Sequence, residues 1–356
     1  MHKPASPVRV LIVDDSAVMR QMLSSMLSAD PEIEVVGTAS DPHIARERIK
    51  ALNPDVISLD VEMPHMDGLT FLRKIMALRP TPVVMVSTLT QAGAEITLEA
   101  LEAGAVDFVA KPTDLVHARE QLALELQTKI KAAGRTRLRP RTAPPVRKMR
   151  SFNRARDKIV FIGASTGGVE ALKTVFMSLP AECPPVLVTQ HMPARFTTTF
   201  AERLNRECPM QVSEARDGDP VEPGHIYIAP GSHHLQIESR SGRAFCVLSD
   251  AAPLAGHRPA VDALFRSAAQ VTRAAAVGVI LTGMGKDGTE GLLAMREAGA
   301  ITIGQDEASS LIYGMPRVAF ERGAVMRQCA LHNIADAILD ACEADAPRLR
   351  TSPTAA

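Results

Sequence analysis

Residues 159–173 read IVFIGASTGGVEALK. The apolar run Ile159-Val160-Phe161-Ile162 stops at Gly163-Ala164-Ser165-Thr166-Gly167-Gly168, and a stripe of helical period follows at Val169, Leu172, Val175, Phe176 and Leu179. A short, wholly apolar run predicts a strand buried on both faces, and the 3.6-residue stripe predicts a helix covering one of them. Strand, glycine-rich turn and helix together form the unit of a doubly wound, mostly parallel sheet. Such a turn has two uses. It cradles phosphate on the N–H groups of the helix start, or it holds a nucleophilic serine clear of the sheet. For the second use, Gly163 and Gly167 would let the chain turn sharply enough to expose Ser165.

The same alternation continues outward. Strands are predicted at Val186–Thr189, His225–Ala229, Val277–Leu281 and Ala300–Ile303, with a polar segment from Asp217 to Ser249 suited to hairpins. Ligands of such sheets bind beyond the carboxyl ends of the strands. Those ends deliver Ser165, then His191, then Asp287 in Thr282-Gly283-Met284-Gly285-Lys286-Asp287-Gly288. A serine hydroxyl becomes a nucleophile when a base takes its proton, and neutral imidazole suits that near pH 7. A carboxylate beside the imidazole selects its tautomer and stabilises the imidazolium. Free N–H groups at the start of the following helix, or in the Gly283–Gly285 loop, can hold an oxyanion.

Each residue also has a plainer use, as phosphate cradle, surface histidine or turn former. Two features argue against phosphate. A dinucleotide site wants an acid near the end of its second strand, where this chain has Thr189-Gln190-His191. In GMGKDG, Asp287 follows the lysine where a P-loop needs Ser or Thr. The order Ser…His…Asp also differs from that of α/β-hydrolases, so that superfamily is not implied.

Residues 8–125 repeat the pattern in smaller form, with strands predicted at Val8–Val13, Glu34–Ala39, Val56–Leu59, Val83–Val86 and Asp107–Ala110. A helix is predicted over Ala17–Ser28, with Val18, Met22 and Met26 on its apolar stripe. The strand ends carry Asp14-Asp15, Asp60, Ser87-Thr88 and Lys111. Clustered carboxylates repel one another, and a hard cation with oxygen preference such as Mg²⁺ relieves this. The hydroxyl and the ammonium group suit the extra oxygens of an incoming phosphoryl group.

The composition, 46% hydrophobic and 22% charged with zero formal net charge over 356 residues, is that of a globular protein with no global pull toward nucleic acid. No helix-turn-helix or basic recognition helix appears, which argues against a DNA-binding output. The five cysteines are widely spaced, so reduced thiols are expected. No signal-peptide or membrane-span pattern is present, and a cytoplasmic protein without membrane insertion is expected. Lys131 to Lys158 is rich in arginine and proline and holds one acid, Asp157, so it reads as a tether.

The motifs VLIVDDS, DVISLDVEMPHMDG, VVMVST and AGAVDFVAKP resemble those of response-regulator receiver domains. The resemblance implies a flavodoxin-like fold with Asp60 as phosphoacceptor and Asp14 and Asp15 beside it in a Mg²⁺ site. It further implies Ser87 as switch hydroxyl, Phe108 as switch aromatic and Lys111 as phosphate-sensing lysine. IGASTGG, QHMP, HRPAVD and ILTGMGKDG resemble the CheB family of chemotaxis protein-glutamate methylesterases. That resemblance implies Ser165 as nucleophile, His191 as general base, Asp287 as its partner, and Thr166 and Met284 in the oxyanion region. No cofactor is implied for the hydrolysis. The implied substrates are γ-glutamyl methyl esters, and certain glutamines, of methyl-accepting chemoreceptors. The implied phosphodonor is the chemotaxis histidine kinase, and the implied regulation is a receiver that covers the Ser165 cleft until phosphorylated.

The expected organisation is a receiver domain at 1–127, a linker at 128–155, a catalytic domain at 156–346 and a tail at 347–356. A competing reading is a response regulator whose second domain only binds, without catalysis. Release of methanol separates the two.

Overall fold

The computed structural model describes residues 6–63, 66–88, 90–111, 119–136 and 158–344. The chain divides into two compact units, Met1–Thr142 and Ala143–Ala356. In the first, β1 (Val8–Val13), α1 (Ala17–Ser28), β2 (Ile33–Ala39), α2 (Pro42–Leu52) and β3 (Val56–Asp60) lead on through the chain. They are followed by α3 (Gly68–Leu78), β4 (Val83–Thr88), α4 (Gln91–Glu102), β5 (Asp107–Lys111) and α5 (Arg119–Gly134). The strands form one parallel sheet in the order β2-β1-β3-β4-β5. β1, β3 and β4 are almost wholly buried because helices cover both faces, which is why they read as unbroken apolar runs.

Two expectations need correcting here. Val18 is 73% exposed, and α1 instead buries Leu23, Met26 and Leu27. Ser16 caps α1 at the Met19 N–H, which leaves Val18 in the first turn on the solvent side. The second correction concerns α5, which runs past the expected domain end at 127 to Gly134. Ile130 and Ala133 continue its buried stripe from Leu122 and Leu126, and a Cβ on Gly134 would lie 2.2 Å from Val8. Lys131 pairs with Asp30 and Glu32, and Arg135 pairs with Glu32, so these two basic residues belong to the folded unit. The remaining expected linker residues 137–155, the domain end at 346 and the tail 347–356 lie outside the described residues.

The second unit begins with β6 (Ile159–Ala164), α6 (Gly168–Phe176), β7 (Val186–Gln190), α7 (Ala194–Glu207), β8 (Gln211–Glu214) and β9 (His225–Ile228). A hairpin of β10 (His234–Arg240) and β11 (Arg243–Ser249) follows, then α8 (Val261–Val271), β12 (Ala276–Ile280), α9 (Thr289–Glu297) and β13 (Ile301–Gln305). The unit ends with α10 (Met315–Glu321), β14 (Arg327–Cys329) and α11 (Ile334–Glu343). Seven parallel strands form a sheet in the order β14-β13-β12-β6-β7-β9-β8. The edge strands β8 and β14 escape a sequence reading because they are short, polar and only partly buried. All five cysteines are free. Among the described residues no helix is long and apolar enough to cross a membrane.

From β6 the chain moves outward to β7 on one side and later returns to place β12 on the other. Strand order therefore reverses at β6, and the crevice beyond its carboxyl end is the expected place for a ligand.

Candidate active site

β12, β6 and β7 are neighbours, so the residues that follow them share one edge of the sheet. Ser165 follows β6, His191 follows β7, and Asp287 lies in the loop after β12. His191 Nδ1 is 3.1 Å from Ser165 Oγ, and His191 Nε2 is 2.7 Å from Asp287 Oδ2. The carboxylate keeps the ring proton on Nε2 and leaves the Nδ1 lone pair facing the serine hydroxyl. The two ring nitrogens thus swap the roles they play in the serine-protease triad.

Asp287 does a second job. Its Oδ2 also accepts from the Val261 N–H at 2.7 Å, and its Oδ1 accepts from the N–H groups of Asp262 at 3.0 Å and Gly288 at 2.8 Å. The residue before α8 is Ala260, which has no capping side chain, so Asp287 caps that helix from another loop. Burial alone would raise the Asp287 pKa, but the contacts with His191 and with the Asp262 and Val261 amides outweigh it and hold the carboxyl below its ordinary value. Asp287 therefore remains an anion.

The serine turn is built by two different glycine effects. Gly167 has a left-handed φ of 77°, which a side chain would strain. Gly163, expected to help the chain turn, lies inside β6 instead. A Cβ there would meet Val261 at 2.2 Å, so its role is to admit α8 against the sheet. A Gly163→Ala substitution should destabilise the second unit by about 1–3 kcal/mol through overpacking. A thermal scan checks this, the expected shift being a few degrees per kcal/mol for a domain of this size.

The loop carrying Met284 is tightly held. Thr282 donates its N–H to Gln305 Oε1 at 2.7 Å and its hydroxyl to the Thr166 carbonyl at 3.0 Å. The Gly283 N–H donates to Ile312 O at 3.1 Å, and the Gly283 carbonyl accepts from the Met315 N–H at 2.8 Å. Thr166 and Met284 are thereby brought to the Ser165 end of the sheet by one network.

His257 opens the segment His257-Arg258-Pro259-Ala260 that leads into α8. Its ring stacks on His191 with centroids 3.9 Å apart and 10° between planes. The turn before it has Ala255 and Gly256 at positive φ, and Leu254 and His257 exchange backbone hydrogen bonds across it. Spacing in the sequence carries no sign of this contact, because the two rings stand on loops far apart in the chain.

In the first unit, oxygens of Asp14, Asp15 and Asp60 all lie within 4.8 Å of one another, a spacing a divalent cation can bridge. Lys111 Nζ is 2.8 Å from Asp60 and 3.1 Å from Asp14. Burial raises the Asp60 pKa to about 6; Lys111 opposes that rise and the Asp14 charge adds to it. Two buried carboxylates with one lysine leave negative charge to be matched, which fits a cation-binding group. Ser87 is buried, and its hydroxyl lies 2.8 Å from Thr97 Oγ1 and donates to the Gly93 carbonyl of α4, so it is turned toward α4 and not toward Asp60. Phe108 is buried beneath Lys129, whose ammonium group donates to the Phe108 carbonyl at 2.6 Å.

Comparison with known proteins extends this geometry. The CheB methylesterase family model matches residues 160–338, and the response regulator receiver domain model matches residues 10–123. A protein-glutamate methylesterase/protein-glutamine glutaminase of Caulobacter vibrioides is 56% identical over 344 residues, covering 95% of this chain and 98% of its own. One of Pseudomonas aeruginosa is 52% identical, covering 94% of this chain and 96% of its own. The crystal structure of the Thermotoga maritima CheB methylesterase catalytic domain is 38% identical, with a TM-score of 0.51, and covers 52% of this chain and 98% of its own. With both family models matched in one chain and relatives 56% and 52% identical over nearly its whole length, the chain belongs to the CheB family of protein-glutamate methylesterases/protein-glutamine glutaminases that carry a receiver domain.

Proposed function

We propose that the chain hydrolyses γ-glutamyl methyl esters of chemoreceptors, and deamidates receptor glutamines, by acyl transfer through Ser165. The observation that carries this is the pair of contacts on His191, with Nδ1 at Ser165 Oγ and Nε2 at Asp287. Ser165 Oγ attacks the ester carbonyl while its proton passes to Nδ1. Asp287 stabilises the imidazolium across its short contact with Nε2. The N–H groups of Thr166 and Met284 hold the oxyanion. Collapse of the tetrahedral intermediate expels the methoxy group, which takes the proton from Nδ1 and leaves as methanol. Water then attacks the acyl-enzyme with His191 again as base, releasing the glutamate carboxylate and restoring the serine. With a glutamine substrate, ammonia leaves instead of methanol.

A receiver domain implies a phosphodonor kinase, and a methylesterase of this family implies a receptor substrate. We assign these roles to the chemotaxis histidine kinase and to the cytoplasmic helices of methyl-accepting chemoreceptors. Asp60 is the phosphoacceptor, and Asp14, Asp15 and Asp60 are the carboxylates that would hold Mg²⁺. The ion, when bound, neutralises the anionic oxygens that meet there. Lys111, 2.8 Å from Asp60, would hold a phosphoryl oxygen, and Ser87 would have to leave its contacts on α4 to reach one. Phe108, the second residue of β5, whose carbonyl accepts from Lys129 of α5, is assigned the switch aromatic.

The deciding assay is methanol release from methylated receptor with and without a small-molecule phosphodonor. An Asp60→Asn protein should keep the basal rate and lose the phosphodonor response entirely. A stimulated Asp60→Asn protein would remove Asp60 as the acceptor.

A further inference from the structure

Gln190, the last residue of β7, is 4% exposed and pairs across the sheet with Ala164, the residue before the nucleophile. Its Nε2 donates to the Ser165 carbonyl at 3.0 Å and to the His191 carbonyl at 3.2 Å. The nucleophile turn and the base-bearing loop are thus tied to one amide group. The Ser165 carbonyl also accepts from the Gly168 N–H at 2.7 Å. The opposite amide orientation is excluded chemically, since Oε1 would then face two carbonyl oxygens.

Gln190 Oε1 itself is buried with no hydrogen-bond partner among the described residues. A buried acceptor left unmatched is rare and opposes folding, so something else keeps the side chain there. The turn is shaped to admit it, since a Cβ on Gly168 would lie 2.0 Å from Gln190 Oε1.

The peptide group explains the consequence. The Ser165 carbonyl and the Thr166 N–H belong to one planar trans unit and point in opposite directions. Fixing the carbonyl with two donors fixes where the N–H aims. We propose that Gln190 is a positioning residue that aims the Thr166 N–H at the oxyanion by clamping the Ser165 carbonyl, and that it holds the His191 backbone in register with the same amide. This inference rests on the acyl-transfer reading above. A donor of this kind acts only when charge develops on the carbonyl oxygen, so its loss lowers turnover and leaves ground-state binding nearly intact.

The test uses the full-length protein with Gln190→Met, which keeps volume and removes both donors, and Gln190→Glu, which keeps shape and sets acceptors against both carbonyls. Methanol release should show kcat lowered about tenfold to a hundredfold in Gln190→Met, at least as much in Gln190→Glu, with KM within about twofold of the parent. Affinity for an alkylboronic acid, which adds to Ser165 Oγ as a tetrahedral boronate anion, should fall in the same proportion as kcat. If either folded variant keeps kcat within twofold of the parent, or loses kcat while boronate affinity is unchanged, the inference is overturned. Failure of the acyl-transfer reading looks different. In that case the parent protein would release no methanol, or Ser165→Ala would be as fast as the parent, whatever Gln190 does.

Discussion

Ser165→Ala protein should release methanol from methylated receptor at least about 10⁴-fold more slowly than the parent, with substrate binding little changed. The effect is large because Oγ is the atom that forms the covalent bond, and among the described residues it is the Ser165 hydroxyl that hydrogen-bonds to His191 Nδ1, at 3.1 Å. The substitution should be mild for stability. The Ser165 backbone keeps its contacts, with its N–H donating to the Thr282 carbonyl at 3.1 Å and its own carbonyl accepting from Gly168. Rate and fold therefore separate in this variant. A Ser165→Ala protein working at near the parental rate would show instead that His191 activates water directly, without an acyl-enzyme.

Asp287→Asn should lose kcat by about 10⁴-fold, as expected when the base is trapped in the wrong tautomer, and unlike Ser165→Ala it should also lose stability. Both carboxylate oxygens are surrounded by donors: His191 Nε2 and the Val261 N–H at Oδ2, and the Asp262 and Gly288 N–H groups at Oδ1. An asparagine NH₂ must face donors whichever way the amide is turned. Turned toward His191, it asks Nε2 to accept, which moves the ring proton to Nδ1 and removes the base. Turned the other way, it opposes the start of α8 and the Gly288 amide, at a cost of about 1–3 kcal/mol for each buried donor left unmatched. Kinetics and a thermal scan on the same preparation read the two effects. A stable, active Asp287→Asn protein would mean that Asp287 neither selects the tautomer nor caps α8.

Much of this site can be read from the chain because strand ends in a parallel sheet are marked by where apolar runs stop. Ile159–Ala164, Val186–Gln190 and Ala276–Ile280 stop at polar or glycine-rich segments, and sheet order then brings those segments together. The same logic gathers Asp14, Asp15, Asp60 and Lys111 in the first unit. Where a residue's role depends on a partner on another element, spacing gives no warning. Gly163 looks like part of a turn and turns out to make room for Val261. Val18 fits an apolar stripe on periodicity and faces solvent. The helix through Gly134 outlasts the apparent domain end because Val8 and Glu32 receive its last turn.

By itself, the order of residues determined the two α/β units, their strand ends and the chemical groups placed there, because local hydrophobic period and glycine punctuation are properties of the chain alone. Only the tertiary structure decided which ring nitrogen of His191 faces the nucleophile, that His257 covers that ring, that Asp287 caps α8, and that Gln190 holds both neighbouring carbonyls. Each of these is a contact between residues from different strands or loops, and its direction follows from backbone geometry that forms only once the sheet has assembled.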